Sequence, residues 1–415
     1  MNASPARRAA YEVVLRVFEH GAWADRALAS AAARLGLDHR DRALAHQIAY
    51  GTVERVRTLD HGIEALARRP MRKLDAPVRA ALRIGAYQLA FLDGVPRYAA
   101  VNETVELVRE AGLERAVAFT NAVMRRLTVG LRELIASLRE DTPQQAALKH
   151  SYPDWIAEVF WRDWGREDAL ALMRAQNEPP ETVVRLNPRK PARLEGRPDP
   201  DVPGALHVER VDERAVADGL VWPQSRGSIL AGLCVGAREG ERTLDLCAAP
   251  GGKATQLAGE VVAVEKHEGR ARELEENCRR LGADNVRVVL ADALELPEEL
   301  TGFDRALVDA PCSGLGVLNQ RPDLRWRAEP LPDLQLALLR AAAERVEPRG
   351  TIVYSVCTIN ADENEAVVDA SGLAVDDLGA EWPRFSHPER PQFLLTLPHV
   401  HGTAGFFVAR LRIAT

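Results

Sequence analysis

From about residue 219 to the C-terminus, short runs of buried-strand character alternate with helical patterns, an order that few folds accommodate. The strand runs fall at 242–246, 261–264, 286–290, 305–308 and 351–354. Helical periodicity fills intervals such as 269–281 and 334–346. Parallel neighbours need helical crossovers between them, so this alternation predicts a doubly wound, Rossmann-like α/β sheet. A last strand over 405–411 follows a broken stretch rich in Pro and His, and is expected at an edge or antiparallel. Such sheets bind ligands at the carboxyl ends of their strands. Those ends are therefore where chemistry should be sought.

The first part of the chain is of another kind. Ala9, Val13, Val17 and Phe18 recur at helical spacing, as do Leu82, Ile84, Ala86, Leu89 and Phe91, and then Val101, Val105, Leu107 and Val108. Gly36, Pro70, Gly94-Val95-Pro96 and Gly112 break the pattern, which predicts a bundle of six or seven helices. The middle stretch opens with helices around 152–176, where Trp155, Phe160, Trp161 and Trp164 are read as core. A short strand at 181–186 and a Pro/Arg-rich segment at 187–203 follow. The expected organisation is multidomain: an all-α domain over 1–140, a small α/β linking subdomain over 141–218, and an α/β catalytic domain over 219–415.

Charge follows the same division. The net charge of −6 is the sum of a basic surplus of 6 in residues 1–140 and an acidic surplus of 12 in the rest. A basic helical part beside an acidic α/β part is a hint of a polyanionic partner. The five cysteines, Cys234, Cys247, Cys278, Cys312 and Cys357, are odd in number and lack CxxC spacing. That argues against a disulfide framework and against a metal site, and leaves reduced thiols for chemistry. No apolar run approaches the roughly 20 residues that span a bilayer, and no signal-peptide core follows Arg7 and Arg8. The chain is read as cytoplasmic, with no membrane partner.

The run from Thr243 to Lys253, TLDLCAAPGGK, is a strand feeding a glycine-rich turn. Glycines there allow close backbone approach to a ligand, and the next helical turn presents free N–H groups. The run is neither GxGxxG nor the GxxxxGK[ST] phosphate loop, which disfavours a nucleoside triphosphate. Glu265 ends the second strand, 20 residues beyond Asp245, where a carboxylate can accept from both ribose hydroxyls. Asp292 ends the third strand within reach of an adenine edge. Acids at successive strand ends without a pyrophosphate cradle favour S-adenosylmethionine over NAD.

Two thiols lie on the same edge. FDRALVDAPCSG puts Asp309 and Cys312 just past the fourth strand, and VYSVCTI puts Cys357 just past the fifth. Methylating C5 of a cytosine requires such a group, because that carbon is too weak a nucleophile alone. A thiolate added to C6 makes C5 nucleophilic, and a base must then take the C5 proton so that the thiolate can leave. The base must also be unstacked to be reached. Asp309, Cys312 and Cys357 fit these roles, and the residues alone leave open which thiol attacks.

LDLCAAPGGK, FDRALVDAPCSG and VYSVCTINADENEAVV resemble the RNA cytosine-C5 methyltransferases of the Nol1/Nop2/Sun family, along nearly the whole chain. The first part, with IAYGT, LRIGAYQLAFLDGVPRYAAVNETVEL and FTNAVMRRL, is similar to the RNA-binding domain of the antitermination factor NusB. Together they resemble the bacterial small-subunit rRNA members of the family. The resemblance implies that Cys247, Ala248, Ala249, Pro250, Gly251, Gly252 and Lys253 touch S-adenosylmethionine, with Lys253 on its carboxylate side. It implies that Glu265 holds the ribose, that Asp292 meets the adenine, and that Asp309 lies between methyl donor and target base. Cys357 would be the nucleophile and Cys312 the residue that aids release. The partner would be 16S rRNA, not DNA, and the protein a monomer. A tRNA or 23S rRNA enzyme is the alternative, and a non-catalytic NusB-like RNA-binding factor the alternative of another class.

Six positions depart from the family pattern, the mildest being Glu265, which replaces the more frequent Asp and keeps a carboxylate. Val356 stands where Thr usually precedes the nucleophile, removing a hydroxyl expected near Cys357. Asn319-Gln320 replace a pair of Arg, leaving Arg321, Arg325 and Arg327 as nearby RNA contacts. Ala404 and Ser225 each replace an Asp.

Overall fold

In the computed structural model, which describes residues 3–413, the chain divides into two units. One runs to Asn177 and includes Leu318–Arg327; the other holds Glu178–Val317 and the chain from Ala328 onward. The stretch expected as a linking subdomain is thus shared. Its helices up to Ala175 belong to the first unit, and its strands and the short helix over Glu213–Ala217 to the second.

The first unit contains α1 (Pro5–His20), α2 (Ala24–Leu35), α3 (His39–Ala67), α4 (Ala76–Phe91), α5 (Arg97–Glu110), α6 (Glu114–Ser137), α7 (Pro143–His150) and α8 (Asp154–Ala175). α4 is buried at every residue from Ala80 to Leu89, and its polar side chains Arg83 and Gln88 are paired there, Arg83 with Asp60 and Gln88 with Arg7. The breakers act as their chemistry dictates. Gly36 closes α2 in the left-handed conformation at φ +61°, and the Asp38 side chain caps α3 by accepting from Asp41 N–H. The aromatics of α8 are core or half-buried, and Phe160 meets Tyr152 edge-on at 6.0 Å.

Leu318–Arg327 joins this unit through Arg325, which is fully buried. Its guanidinium donates to Asn177 Oδ1 and to the Gln176 carbonyl, both at 2.7 Å, and stacks on the Tyr152 ring. Trp326 Nε1 donates to the Val53 carbonyl at 2.7 Å. Arg325 is therefore a structural anchor and not the RNA contact expected of it. Arg321 and Arg327 lie over the half-exposed Trp23 ring, at 5.2 and 4.5 Å.

The second unit has two sheets. The smaller joins β1 (Val183–Leu186), β2 (Arg197–Pro198), β3 (Ala205–His207) and β4 (Val221–Pro223) in the order β2-β3-β1-β4, all antiparallel. The short α9 (Glu213–Ala217) precedes β4. The larger sheet comprises β5 (Arg242–Asp245), β6 (Glu260–Glu265), β7 (Val286–Leu290), β8 (Phe303–Asp309), β9 (Val346–Val356), β10 (Ala374–Val375), β11 (Leu394–Thr396) and β12 (Phe406–Arg412). Its order is β10-β12-β9-β8-β5-β6-β7, with β11 paired to β12. β5 to β9 are mutually parallel, and β6 carries Val261–Val264 wholly buried, as a strand covered on both faces requires. β12 is antiparallel and lies inside the sheet, beside β9. Helices α10 (Arg226–Val235), α11 (Glu268–Leu281), α12 (Pro332–Ala343) and α13 (Glu365–Ser371) complete the unit. Strand order reverses around β5, so the turn after β5 opens at the switch point where α/β sheets take ligands.

Candidate active site

The turn after β5 is built for close approach. Gly251 has φ +105°, and a Cβ there would lie 2.7 Å from Leu274 Cδ1. Its N–H donates to the Ala248 carbonyl at 2.8 Å, while Ala248 N–H reaches the Val264 carbonyl of β6. Beside this turn is a cavity of about 440 Å³ formed by the ends of β5, β6, β7 and β8. Cys247, Ala249, Glu265, Asp292 and Asp309 line it, as the sequence predicts. So do His267, Arg270, Leu294, Pro311 and Leu338, which sequence reading passed over. Leu334 and Leu338, one turn apart on α12, form an apolar wall whose i, i+4 spacing was visible in the sequence.

The polar groups suit a nucleoside. Glu265 is nearly buried; one carboxylate oxygen accepts from His267 N–H at 2.9 Å and the other lies 3.5 Å from Arg270 Nε. Asp292 is exposed at the rim, its Oδ1 accepting from Leu294 N–H at 3.0 Å. Ala248, Pro250, Gly251, Gly252 and Lys253 shape the turn without lining this cavity. Lys253 turns towards Asp309, donating to Oδ2 at 2.7 Å, and its ammonium sits 5.1 Å from the Phe406 ring. Ser355 Oγ donates to Asp309 Oδ1 at 2.7 Å, which fixes the carboxylate between two partners. Asp245, buried behind them, is pushed up to about 7 by burial and by the Asp309 charge.

The two thiols meet. Cys312 Sγ and Cys357 Sγ are 3.4 Å apart, each half-buried. The two sulfurs differ in their surroundings: the hydrogen bond with Cys312 and the Lys253 ammonium lower Cys357, against burial and the Asp309 charge. Cys312 is raised by the same hydrogen bond, by burial and by the neighbouring Cys357 and Glu363 charges. Of the two sulfurs, Cys357 gives up its proton more readily and Cys312 less readily than an ordinary thiol. Cys234, Cys247 and Cys278 are all pushed up by burial, as inert thiols should be.

Backbone bonds join the turns around Cys357. Gly316 N–H donates to the Cys357 carbonyl at 3.0 Å, and Gly405 N–H to the Gly316 carbonyl at 2.8 Å. A Cβ on Gly316 would lie 2.0 Å from the Gly405 carbonyl oxygen, so this crossing excludes any side chain. Ala404, next to it, is buried, and its carbonyl accepts from Thr396 Oγ1.

A Rossmann-like sheet with a nucleoside-sized cavity and a close thiol pair, in a chain that also holds a helical bundle, defines a two-part methyltransferase. Residues 233–412 match the family of 16S rRNA methyltransferases RsmB/F, and residues 4–129 match the NusB family. The chain is 35% identical to the ribosomal RNA small subunit methyltransferase B of Thermus thermophilus, over 99% of this chain and 98% of that one. It is 33% identical to the enzyme of the same name from Xylella fastidiosa, over 90% of each. The solved structure of PH0851 has the same fold, with a TM-score of 0.82 at 23% identity over 99% of both chains. The chain belongs to the RsmB/F family of 16S rRNA methyltransferases.

Proposed function

We propose that this protein transfers a methyl group from S-adenosylmethionine to C5 of one cytosine in 16S rRNA, through a covalent bond between Cys357 and C6. The observation that carries the proposal is the Cys357–Cys312 contact beside the Lys253–Asp309 pair, with Asp309 also lining the nucleoside-sized cavity. The cavity's chemistry fits the cofactor: Glu265 for the ribose hydroxyls, Asp292 for the adenine edge, and Leu334 and Leu338 for the apolar faces. S-adenosylmethionine, when bound, supplies the methyl group as an electrophile.

The residues of the chain do the rest. Cys357, held as a thiolate, adds to C6, and the electron pair displaced into the ring makes C5 nucleophilic. Asp309, fixed by Lys253 and Ser355, is placed to hold the N3 side of the base. During addition Cys312 gives its proton to N3, on the side held by Asp309; after methyl transfer the Cys312 thiolate takes the C5 proton, and the N3 proton passes to solvent. The C5–C6 double bond then re-forms, the C6–sulfur bond breaks, and Cys357 leaves as a thiolate facing Cys312 S–H. The pair ends as it began, with one proton released overall.

The relatives are named for the small subunit, which favours 16S rRNA over transfer RNA or large-subunit rRNA. The protein acts as a cytoplasmic monomer in this reading, with its NusB-like unit contributing RNA affinity. The test is methyl transfer to cytosine in 16S rRNA by Cys357→Ala. Undiminished transfer removes the nucleophile from the mechanism, and an inactive parent protein favours a binding factor.

A further inference from the structure

One buried carboxylate behind the thiols has no part in the mechanism above. Glu363 is fully buried, in the turn just before α13. One of its oxygens accepts from Ser313 N–H at 2.9 Å, Leu331 N–H at 3.1 Å and Gln335 Nε2 at 2.9 Å. The other accepts from Ser313 Oγ, and from Thr358 Oγ1 and Asn360 Nδ2 at 3.4 Å each. None of these donors is a cation. Ser313 follows Cys312 and Thr358 follows Cys357, and the two hydroxyls also bond each other at 2.9 Å. Tyr354, whose O–H donates to the Glu363 carbonyl at 2.6 Å, ties the same turn to β9. A buried negative charge that accepts six neutral donors is costly unless every bond is made. Here its bonds converge on the two turns that carry the thiols.

We propose that Glu363 is a positioning residue, which fixes the spacing of the Cys312 and Cys357 turns and keeps their shared proton on the Cys312 sulfur. The inference rests on the reading that Cys357 attacks and Cys312 takes the C5 proton. Around the pair, Lys253 and Asp309 act on Cys357, while Glu363 and Tyr354 lie on the Cys312 side. On the Cys357 side the Lys253 cation is opposed by the Asp309 anion, whereas on the Cys312 side Glu363 adds a negative charge that holds the proton on that sulfur. Without the anion, Cys312 loses its proton more readily and becomes a weaker base for the C5 proton.

The test compares Glu363→Gln with Glu363→Asp. Gln preserves shape, since the Ser313 and Thr358 hydroxyls can turn to accept from its amide, but it removes the charge. Asp preserves the charge and shortens the reach. Alkylation by iodoacetamide, followed at each cysteine by peptide mass spectrometry across pH, reads the proton's location. In Glu363→Gln the Cys312 midpoint should move to lower pH by about one unit. Turnover should fall roughly 10- to 100-fold while S-adenosylmethionine affinity holds within about twofold. Glu363→Asp should restore the Cys312 midpoint. A Glu363→Gln enzyme with the parent's midpoint and turnover overturns the proposal. Labelling of the unsubstituted enzyme needs no variant to fold: Cys357 should react first, and Cys312 reacting first overturns the proposal as well. The two readings fail separately. An active Cys357→Ala enzyme removes the attack mechanism, whereas an inactive one with an unaltered Glu363→Gln removes only the role of Glu363.

Discussion

The turns after β8 and β9 look alike in sequence, each placing a cysteine just past a parallel strand, yet the structure gives their thiols opposite surroundings. Cys357 feels the opposed charges of Asp309, at the end of β8, and Lys253, from the turn after β5. Cys312 shares a hydrogen bond with Cys357 and lies near Glu363, from the turn before α13. The charged residues that distinguish the two thiols come from other parts of the chain. A cysteine's position on the ligand edge makes it eligible for chemistry; its neighbours decide which chemistry.

The largest expected effect removes one side of the comparison outright. Cys312→Ala leaves Cys357 able to attack and deprives the adduct of its base, so turnover should fall by roughly 10³-fold or more. The covalent protein–RNA species should accumulate and run as a shifted band in denaturing gels. Free protein with merely slow turnover would move the release step to another group.

Removing the cation tests the other side. Lys253→Met should raise the pH at which Cys357 becomes a thiolate, the reverse of the Glu363→Gln effect on Cys312, and lower turnover roughly 100-fold. The Asp309 carboxylate also loses its partner, so raising the pH should recover only part of the rate. The measurement is the alkylation midpoint of Cys357 alongside a pH–rate profile. An unmoved midpoint would mean that the hydrogen bond with Cys312 alone sets the thiolate.

Asp245 adds a stability effect on the Cys357 side. Its carboxyl rises from the ordinary 3.8 to about 7 because burial and Asp309 disfavour the charge. A folded-state value above the unfolded one favours the fold below about pH 4, and that contribution is lost as pH rises through about 7. The difference corresponds to about 4 kcal/mol. Asp245→Asn, in the absence of cofactor, should flatten this part of the stability curve and raise the melting temperature at pH 8 relative to the parent. Parallel curves for the two proteins between pH 4 and 8 would show that Asp245 titrates normally.

The sequence made some of this legible and concealed the rest for physical reasons. Alternation of strand and helix was readable because period and length are local properties; β7 spans 286–290, as expected. Glu265 and Asp292 were readable because strand ends are fixed by those same periods. The Lys253–Asp309 pair was not, since it joins residues 56 positions apart through rotamers that no pattern encodes. Arg325 was misread for a related reason. It sits among other arginines in a polar loop, and only folding shows that Asn177, Gln176 and Tyr152 enclose it. Gly316 carried a faint signal as a second glycine after Cys312, but its need arises from the Gly405 backbone, which only the fold brings near.

The smallest effect concerns Val356. The missing hydroxyl before Cys357 suggested an altered thiolate, because the two residues are adjacent. In the structure Val356 is the last residue of β9, fully buried and opposite Phe407 of β12. Successive strand side chains face opposite sides of a sheet, so Val356 projects away from the side on which Ser355 reaches Asp309. A hydroxyl placed there meets a packed apolar surface. Val356→Thr should then change turnover by less than about twofold and leave the Cys357 alkylation midpoint unmoved. It should destabilise the protein by about 1–3 kcal/mol, the cost of a buried hydroxyl without a partner. Thermal melts and the labelling profile read the two effects independently. A shifted Cys357 midpoint with unchanged stability would place the Thr hydroxyl beside the sulfur, and would make residue 356 a third influence on which thiol attacks.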